Sequence, residues 1–330
     1  MKVILEWSRP LSKRVMMLPI TAALLCGGTS FALAQEGPRP EAAPIPPVTT
    51  PDLIPDLYRP ITSTQTGSAP IASVAAFSSF DWAYIFNIFP GREYKATSYQ
   101  ETAGLNMTLN QNLTLGIGAT DSQSHTRLLY LENGRSRSDG PGGFVTASIN
   151  VNNLFTVGGT LQYIATDNSQ FRTVQGLPSA AKYDSETFAG VAYVSKYIPI
   201  NQLFFITPQI KLLYSEGRAK PYIESTGIFN PRSTSILGRL SVGGQFGIAL
   251  SAADWAIAPN VEAFFLYDYH LPLYQVDRTG LEIRPGIFMS KSNVFRDNDN
   301  LALGASFVTV VGRRDYHTFD GGRGFLAYKF

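Results

Sequence analysis

The last nine residues of the chain, Gly322 to Phe330 (GRGFLAYKF), constrain its fold more than any other stretch. In a strand, Leu326, Tyr328 and Phe330 fall on one face, and Phe325, Ala327 and Lys329 on the other. The chain stops on an aromatic residue, whereas the termini of water-soluble domains fray into solvent and tolerate little apolar surface. A last strand that is apolar on one side to its final residue fits a sheet that closes on itself, with lipid against its outer face. Leu326, Tyr328 and Phe330 make up that apolar side.

The amino-terminal end points to export. Lys2, Arg9, Lys13 and Arg14 precede an apolar run from Val15 to Leu25, and small residues follow as far as Ala32-Leu33-Ala34. This is the pattern of a secretory signal peptide, residues 1–34, with cleavage expected near Ala34. The run is well short of the ~20 residues a membrane-spanning helix needs. The lone cysteine, Cys26, lies in this leader and is preceded by Leu25, so neither lipidation nor thiol chemistry is expected in the mature chain. Losing four basic residues and Glu6 with the leader takes the formal charge from +2 to −1, which gives no footprint for nucleic acid.

Residues 35–75 contain nine prolines, from Pro38 to Pro70. Proline supplies no backbone donor, so a disordered, extended linker on the periplasmic side is expected, long enough to cross the periplasm or enter a pore. From Phe80 onward the sequence breaks into alternating segments. Leu113, Leu115, Ile117 and Ala119 oppose Thr114, Gly116, Gly118 and Thr120; Leu240, Val242, Phe246 and Ile248 oppose Ser241, Gly243, Gln245 and Gly247. Alternation alone is shared with a β-sandwich, but connection lengths separate the two. Short links at 110–111, 152–153, 199–202 and 251–254 alternate with long ones at 125–141, 168–184, 217–234 and 270–280. That asymmetry predicts an all-β, transmembrane, antiparallel up-and-down barrel of about twelve strands, residues 76–330, in the outer membrane of a Gram-negative bacterium. Its strands are expected to begin at residue 80. Phe80, Trp82, Tyr197, Phe204, Trp255, Tyr328 and Phe330 would form an inner aromatic girdle, and Tyr163, Tyr214, Tyr267 and Tyr269 an outer one.

Asp81-Trp82-Ala83, Thr102-Ala103-Gly104-Leu105-Asn106 and Asn110-Gln111-Asn112-Leu113-Thr114-Leu115-Gly116, followed by a Gly/Ser-rich segment, resemble the translocator domain of autotransporters, the type V secretion family. The carboxy-terminal pattern similarly resembles the ending by which outer-membrane barrels are recognised for insertion, which implies that Leu326, Tyr328 and Phe330 are the assembly signal. The resemblance spans about residues 78–330. It implies a twelve-stranded barrel in a setting of outer-membrane lipid and lipopolysaccharide, barrel assembly machinery and periplasmic chaperones. Family members carry a long passenger upstream. Only residues 35–75 occupy that place here, and proline excludes a pore helix from most of them, so the expectation is a translocator-like pore lacking a large passenger. The alternative is a structural or surface-interaction barrel with a plugged lumen and partner-binding outer loops.

Lys196, Lys211, Arg239, Glu262, Asp268, His270, Glu282 and Arg284 are the charges expected to face the lumen. The Asp268/His270 pair resembles half of the catalytic group of omptin proteases, but no acidic partner pair is found on an earlier strand. Structural pairing is the expected role, with catalysis as the alternative. No cofactor, metal or hydrolase motif is present in the sequence.

Overall fold

A computed structural model describes residues 73–88, 93–109, 112–129, 131, 133–151, 154–252, 254–272, 277–295, 299–314 and 316–330, with backbone alone for 316–319. The expected leader, and the linker up to residue 72, lie outside the described residues. Twelve long strands run in chain order: β1 (Ser73–Asn87), β2 (Tyr94–Thr108), β3 (Leu113–Leu128), β4 (Gly134–Val151), β5 (Phe155–Val174), β6 (Leu177–Ser195), β7 (Phe204–Ala219), β8 (Ser233–Ile248), β9 (Trp255–His270), β10 (Thr279–Ser292), β11 (Asn300–Val311) and β12 (Tyr316–Lys329). Each pairs antiparallel with the next, and β12 pairs with β1 from Ala75↔Lys329 to Asn87↔Tyr316, so the sheet closes. The final amide, Phe330 N–H, donates to the Val74 carbonyl at 3.1 Å and finishes the seam.

Closure is what lets the wall face lipid. Each of the twelve long strands is paired on both sides, so no strand edge is left to hydrocarbon. The outward face is apolar over its middle: Leu105, Ile117, Val145, Leu161, Leu212 and Phe265 are 49–63% exposed. Each such side chain left in water forgoes roughly 1 kcal/mol or more of burial. A continuous belt of them is a solvent-excluded surface only in a bilayer.

The strand boundaries expected from the sequence shift in one direction, because hydrophobic alternation marks lipid contact and strand pairing continues beyond it. The segments expected as outer loops at 125–141 and 168–184 are largely strand. β3 runs to Leu128 and β4 restarts at Gly134, while β5 and β6 meet at a two-residue turn, Gln175 (φ 51°) and Gly176 (φ 79°). Positive φ at both central positions is the hairpin turn that matches strand twist. Above the bilayer both faces turn polar, as in Ser122-Gln123-Ser124-His125-Thr126-Arg127, and the periodic signal disappears while the ladder persists. β1 likewise begins at Ser73, inside the stretch read as linker. Phe80 and Trp82 therefore sit at mid-height, against Tyr99 (6.0 Å) and Phe307 (6.4 Å), instead of in the inner girdle. Phe204 stacked on Phe246 (5.9 Å) and Tyr328 beside Phe330 (6.1 Å) do lie at the periplasmic turns.

Lumen-side aromatics lock strands together by lying over glycines of neighbouring strands. The Phe144 ring covers both Gly104 and Gly118, leaving only 2.3 Å to a Cβ built on Gly118, and Phe77 packs beside it at 6.0 Å. Tyr193 covers Gly158, Phe205 covers Gly247 and Phe325 covers Gly304 in the same way. Glycine in a strand is otherwise destabilising, and the ring restores the missing contact. Gly118→Val would drive a side chain into Phe144 and the Ala103 carbonyl, so it should cost about 1–3 kcal/mol. Denaturant unfolding of the reconstituted barrel would measure this, with Val145→Ala on the lipid face as the mild comparison.

Candidate functional site in the lumen

The wall is electrically divided. Below the outer hairpins, the buried lumen-facing polar residues of β2–β6 are hydroxyl and amide side chains: Ser98, Gln100, Thr102, Thr120, Ser148, Thr160 and Gln162 among them. Some bond across strands, as Thr102 with Thr120 at 3.4 Å, and Asn168, which donates to Ser185 Oγ at 2.8 Å; Ser98 Oγ, Gln100 Nε2 and Gln162 Nε2 have no protein partner. The ionisable side chains gather on the other arc, β7–β12 and β1.

Asp268 is the centre of that arc. It is fully buried, and its two oxygens accept from Arg239 (Nε at 2.7 Å, Nη2 at 3.2 Å) and from Arg313 Nη2 (2.7 Å). The forked Arg239 contact is the strong carboxylate–guanidinium geometry. Lys211 lies over the Phe264 ring at 3.9 Å, a cation–π contact in a buried setting. Glu262 is buried two residues before Phe264 on β9, opposite Gln245. Arg284 donates to Glu282 at 3.0 Å, and Arg323 approaches Asp81 at 3.4 Å.

Of the eight expected lumen charges, Lys211, Arg239, Glu262, Asp268, Glu282 and Arg284 occupy lumen-facing positions. Two are corrected. Lys196 is exposed just past the end of β6, in the parity of the outward Ala192 and Val194, because β6 stops at Ser195. His270 is exposed at the outer end of β9, where the ladder shifts register at Gly238/Arg239; its ring meets Tyr269 edge-on at 5.3 Å. The pairing of Asp268 is with two arginines, and the second, Arg313, follows the end of β11 in a segment read as loop.

A second buried pair was invisible for the same reason. Arg172 on β5 and Glu224, in the connection between β7 and β8, are both about 1% exposed and joined at 2.5 Å; Ser179 and Asn230 also donate to Glu224. This connection folds a short ribbon, Tyr222–Ile223 against Phe229–Asn230, onto the inner face of the tall β5–β6 hairpin. Tyr222 stacks on Tyr183 at 4.2 Å and donates to Gln170 at 3.1 Å. Burial pushes the Tyr183 phenol up to about 12. The only sequence trace of the clasp is the common parity of Asn168, Gln170 and Arg172.

The three residues expected as an assembly signal face outward or to the seam. Leu326 and Phe330 are exposed to the bilayer side, and Tyr328 donates to Asp299 at 2.8 Å and packs against Phe295 at 5.7 Å. Asp299 also accepts from the amides of Val294 and Phe295 and so ties the last periplasmic turn to β12.

A closed sheet with a lipid-facing belt and a polar interior defines a transmembrane β-barrel. Residues 89–314 match the autotransporter β-domain family, and the chain belongs to it. It is thus a translocator-type barrel of the Gram-negative outer membrane. In structure it is similar to the translocator domain of the autotransporter NalP from Neisseria meningitidis (15% identity, 78% of this chain and 88% of that one, TM-score 0.61). It is also similar to the transport unit of AIDA-I from Escherichia coli (17%, 86% and 96%, 0.60) and the β-domain of the Bordetella autotransporter BrkA (17%, 79% and 99%, 0.55). No curated protein matches it significantly.

The two buried ion pairs give different tests. Burial works to raise the Glu224 carboxyl, but hydrogen bonds from Arg172, Ser179 and Asn230 together with the Arg172 charge outweigh it and hold it below the ordinary carboxylate value. The clasp's contribution is therefore present above about pH 4 and is lost as pH falls through Glu224's lower folded value. Limited proteolysis of residues 220–232 should accelerate only in acid, and Glu224→Gln should abolish that pH dependence. Asp268→Ala should cost about 3–5 kcal/mol, since it leaves Arg239 and Arg313 buried without their counter-charge; denaturant midpoints would check it.

Proposed function

We propose that this barrel delivers the segment preceding β1 to the cell surface and anchors it there. The observation that carries the reading is the hydroxyl- and amide-lined arc of β2–β6. It offers an extended polypeptide hydrogen-bonding groups without fixed charges that would hold it. Residues 1–34 serve as the export leader, cut near Ala34, and residues 35–72 are the tether or cargo that follows. Chaperones and the barrel assembly machinery act on the Leu326, Tyr328 and Phe330 face. Lipopolysaccharide meets the charged rows above Tyr163, Tyr214 and Tyr267, where Arg218 and Glu216 lie at 2.6 Å and Lys220 and Asp184 at 2.8 Å. We assign no catalytic role to Asp268 and His270, since both carboxylate oxygens of Asp268 are engaged by arginines.

The second reading, a plugged barrel that acts through its outer hairpins, draws support from exposed apolar residues on the outer connections: Leu177 (63%), Ile223 (67%) and Phe229 (63%). One experiment separates the two. An epitope inserted at Gln35 should be stripped by protease added to intact cells if the barrel translocates; full protection there, with the hairpins cleaved, favours the second reading. Deleting Phe330 should sharply reduce the heat-modifiable folded species, and unchanged abundance would remove the signal role from the aromatic end.

A further inference from the structure

Near the outer end of the lumen, apolar side chains gather among the buried polar ones. Ile85 (β1), Tyr94 (β2), Leu128 (β3), Phe264 and Leu266 (β9) and Val310 (β11) form one packed cluster, with Ala96 in it and Leu131 and Val308 against it. Their parity directs them inward, since Phe265 and Tyr267 of β9 are the exposed neighbours. Phe264 and Leu266 are 1% exposed, Ile85 2% and Leu128 3%. Apolar side chains on the wall of a water-filled bore would be wetted; these are shielded by one another. The contributing strands run from β9 through the seam to β3, more than half the circumference.

One polar node braces the cluster. Asp268, two residues beyond Leu266, ties β8, β9 and the end of β11 together through Arg239 and Arg313, and Lys211 lies on the Phe264 ring from β7. On the opposite side, the ribbon at 222–230 is clamped to the inner face of the β5–β6 hairpin by Arg172–Glu224 and the Tyr183–Tyr222 stack.

We propose that this cluster is a hydrophobic septum that closes the resting lumen to hydrated ions and small solutes and parts only for a polypeptide. The inference rests on the translocator reading and adds what the lumen excludes. A hydrated ion entering the septum would have to shed water against Phe264, Leu266 and Leu128, and the neighbouring Asp268, Arg239 and Arg313 are already engaged with one another, so the constriction stays dry. An extended chain can instead bring apolar side chains of its own to replace the septum's contacts.

The test is planar-bilayer conductance of the full refolded chain in molar potassium chloride. Wild type should be silent, and Phe264→Ser/Leu266→Ser should carry a steady current roughly tenfold or more above it. A steady wild-type current equal to the variant's, or a variant that inserts and stays silent, overturns the septum. Should the double variant not insert, single cysteines in a Cys26→Ser background decide. Thr102→Cys, in the lumen on the periplasmic side of the septum, should resist an impermeant maleimide added outside cells that labels Arg137→Cys. Equal labelling overturns the proposal. A barrel that displays the epitope but conducts at rest refutes the septum alone, and a silent barrel that never displays it refutes the translocator reading alone.

Discussion

Lipid cannot hydrogen-bond a backbone, and that constraint organises this molecule. A sheet in hydrocarbon must pair every amide and carbonyl internally, which it can do only by joining its last strand to its first. The β1–β12 seam is therefore the contact on which the rest depends. It is long, from Ala75↔Lys329 to Asn87↔Tyr316, and it carries the Asp81–Arg323 pair in its middle. The apolar carboxy-terminus is its consequence, since a strand placed last in the chain still has to face lipid to its final residue.

Inside the wall, charge and its absence are sorted by arc. Below the outer hairpins, β2–β6 carry small hydroxyl and amide groups, some bonded across strands and others, such as Ser98 Oγ and Gln162 Nε2, left without a protein partner, while β7–β12 and β1 hold ionisable groups in close pairs. A buried pair is weak evidence of net stability, because desolvation offsets most of the attraction. The Asp268 node is better understood as a specifier of geometry: it fixes the outer ends of β8, β9 and β11, the strands that bring Leu237, Phe264, Leu266 and Val310 inward. The glycine–aromatic contacts do comparable work by packing alone, nearer the periplasmic end.

Strand number, antiparallel order and the outer-membrane setting were legible in the sequence because lipid contact imposes period-two apolarity over the belt. What lay above the belt was not. His125, Arg127, Arg135 and Arg137 belong to paired strands, yet nothing apolar alternates there, so a ladder reads as a loop. The clasp of Arg172 and Glu224 joins residues far apart in the chain across two such stretches, and Arg313 reaches Asp268 from beyond a strand end. The lumen charges followed from parity wherever the strand boundary was right. Lys196 failed because it follows the last residue of β6 in the parity of the outward Val194, and one residue exchanges the faces. The septum was hidden for another reason: Phe264 and Leu266 alternate with Phe265 and Tyr267, so both faces of β9 are apolar, and period-two patterning cannot tell which one meets lipid.

The most direct test of closure is a disulfide across the seam. Cysteines at Ala75 and Lys329, which are register partners on β1 and β12, should oxidise readily in the folded Cys26→Ser protein and lock the unheated electrophoretic form. A pair offset by one step along the same face, Ala75 with Ala327, should oxidise poorly. Efficient linkage of the offset pair, or none of the in-register pair in membrane-inserted protein, would contradict a barrel closed in this register.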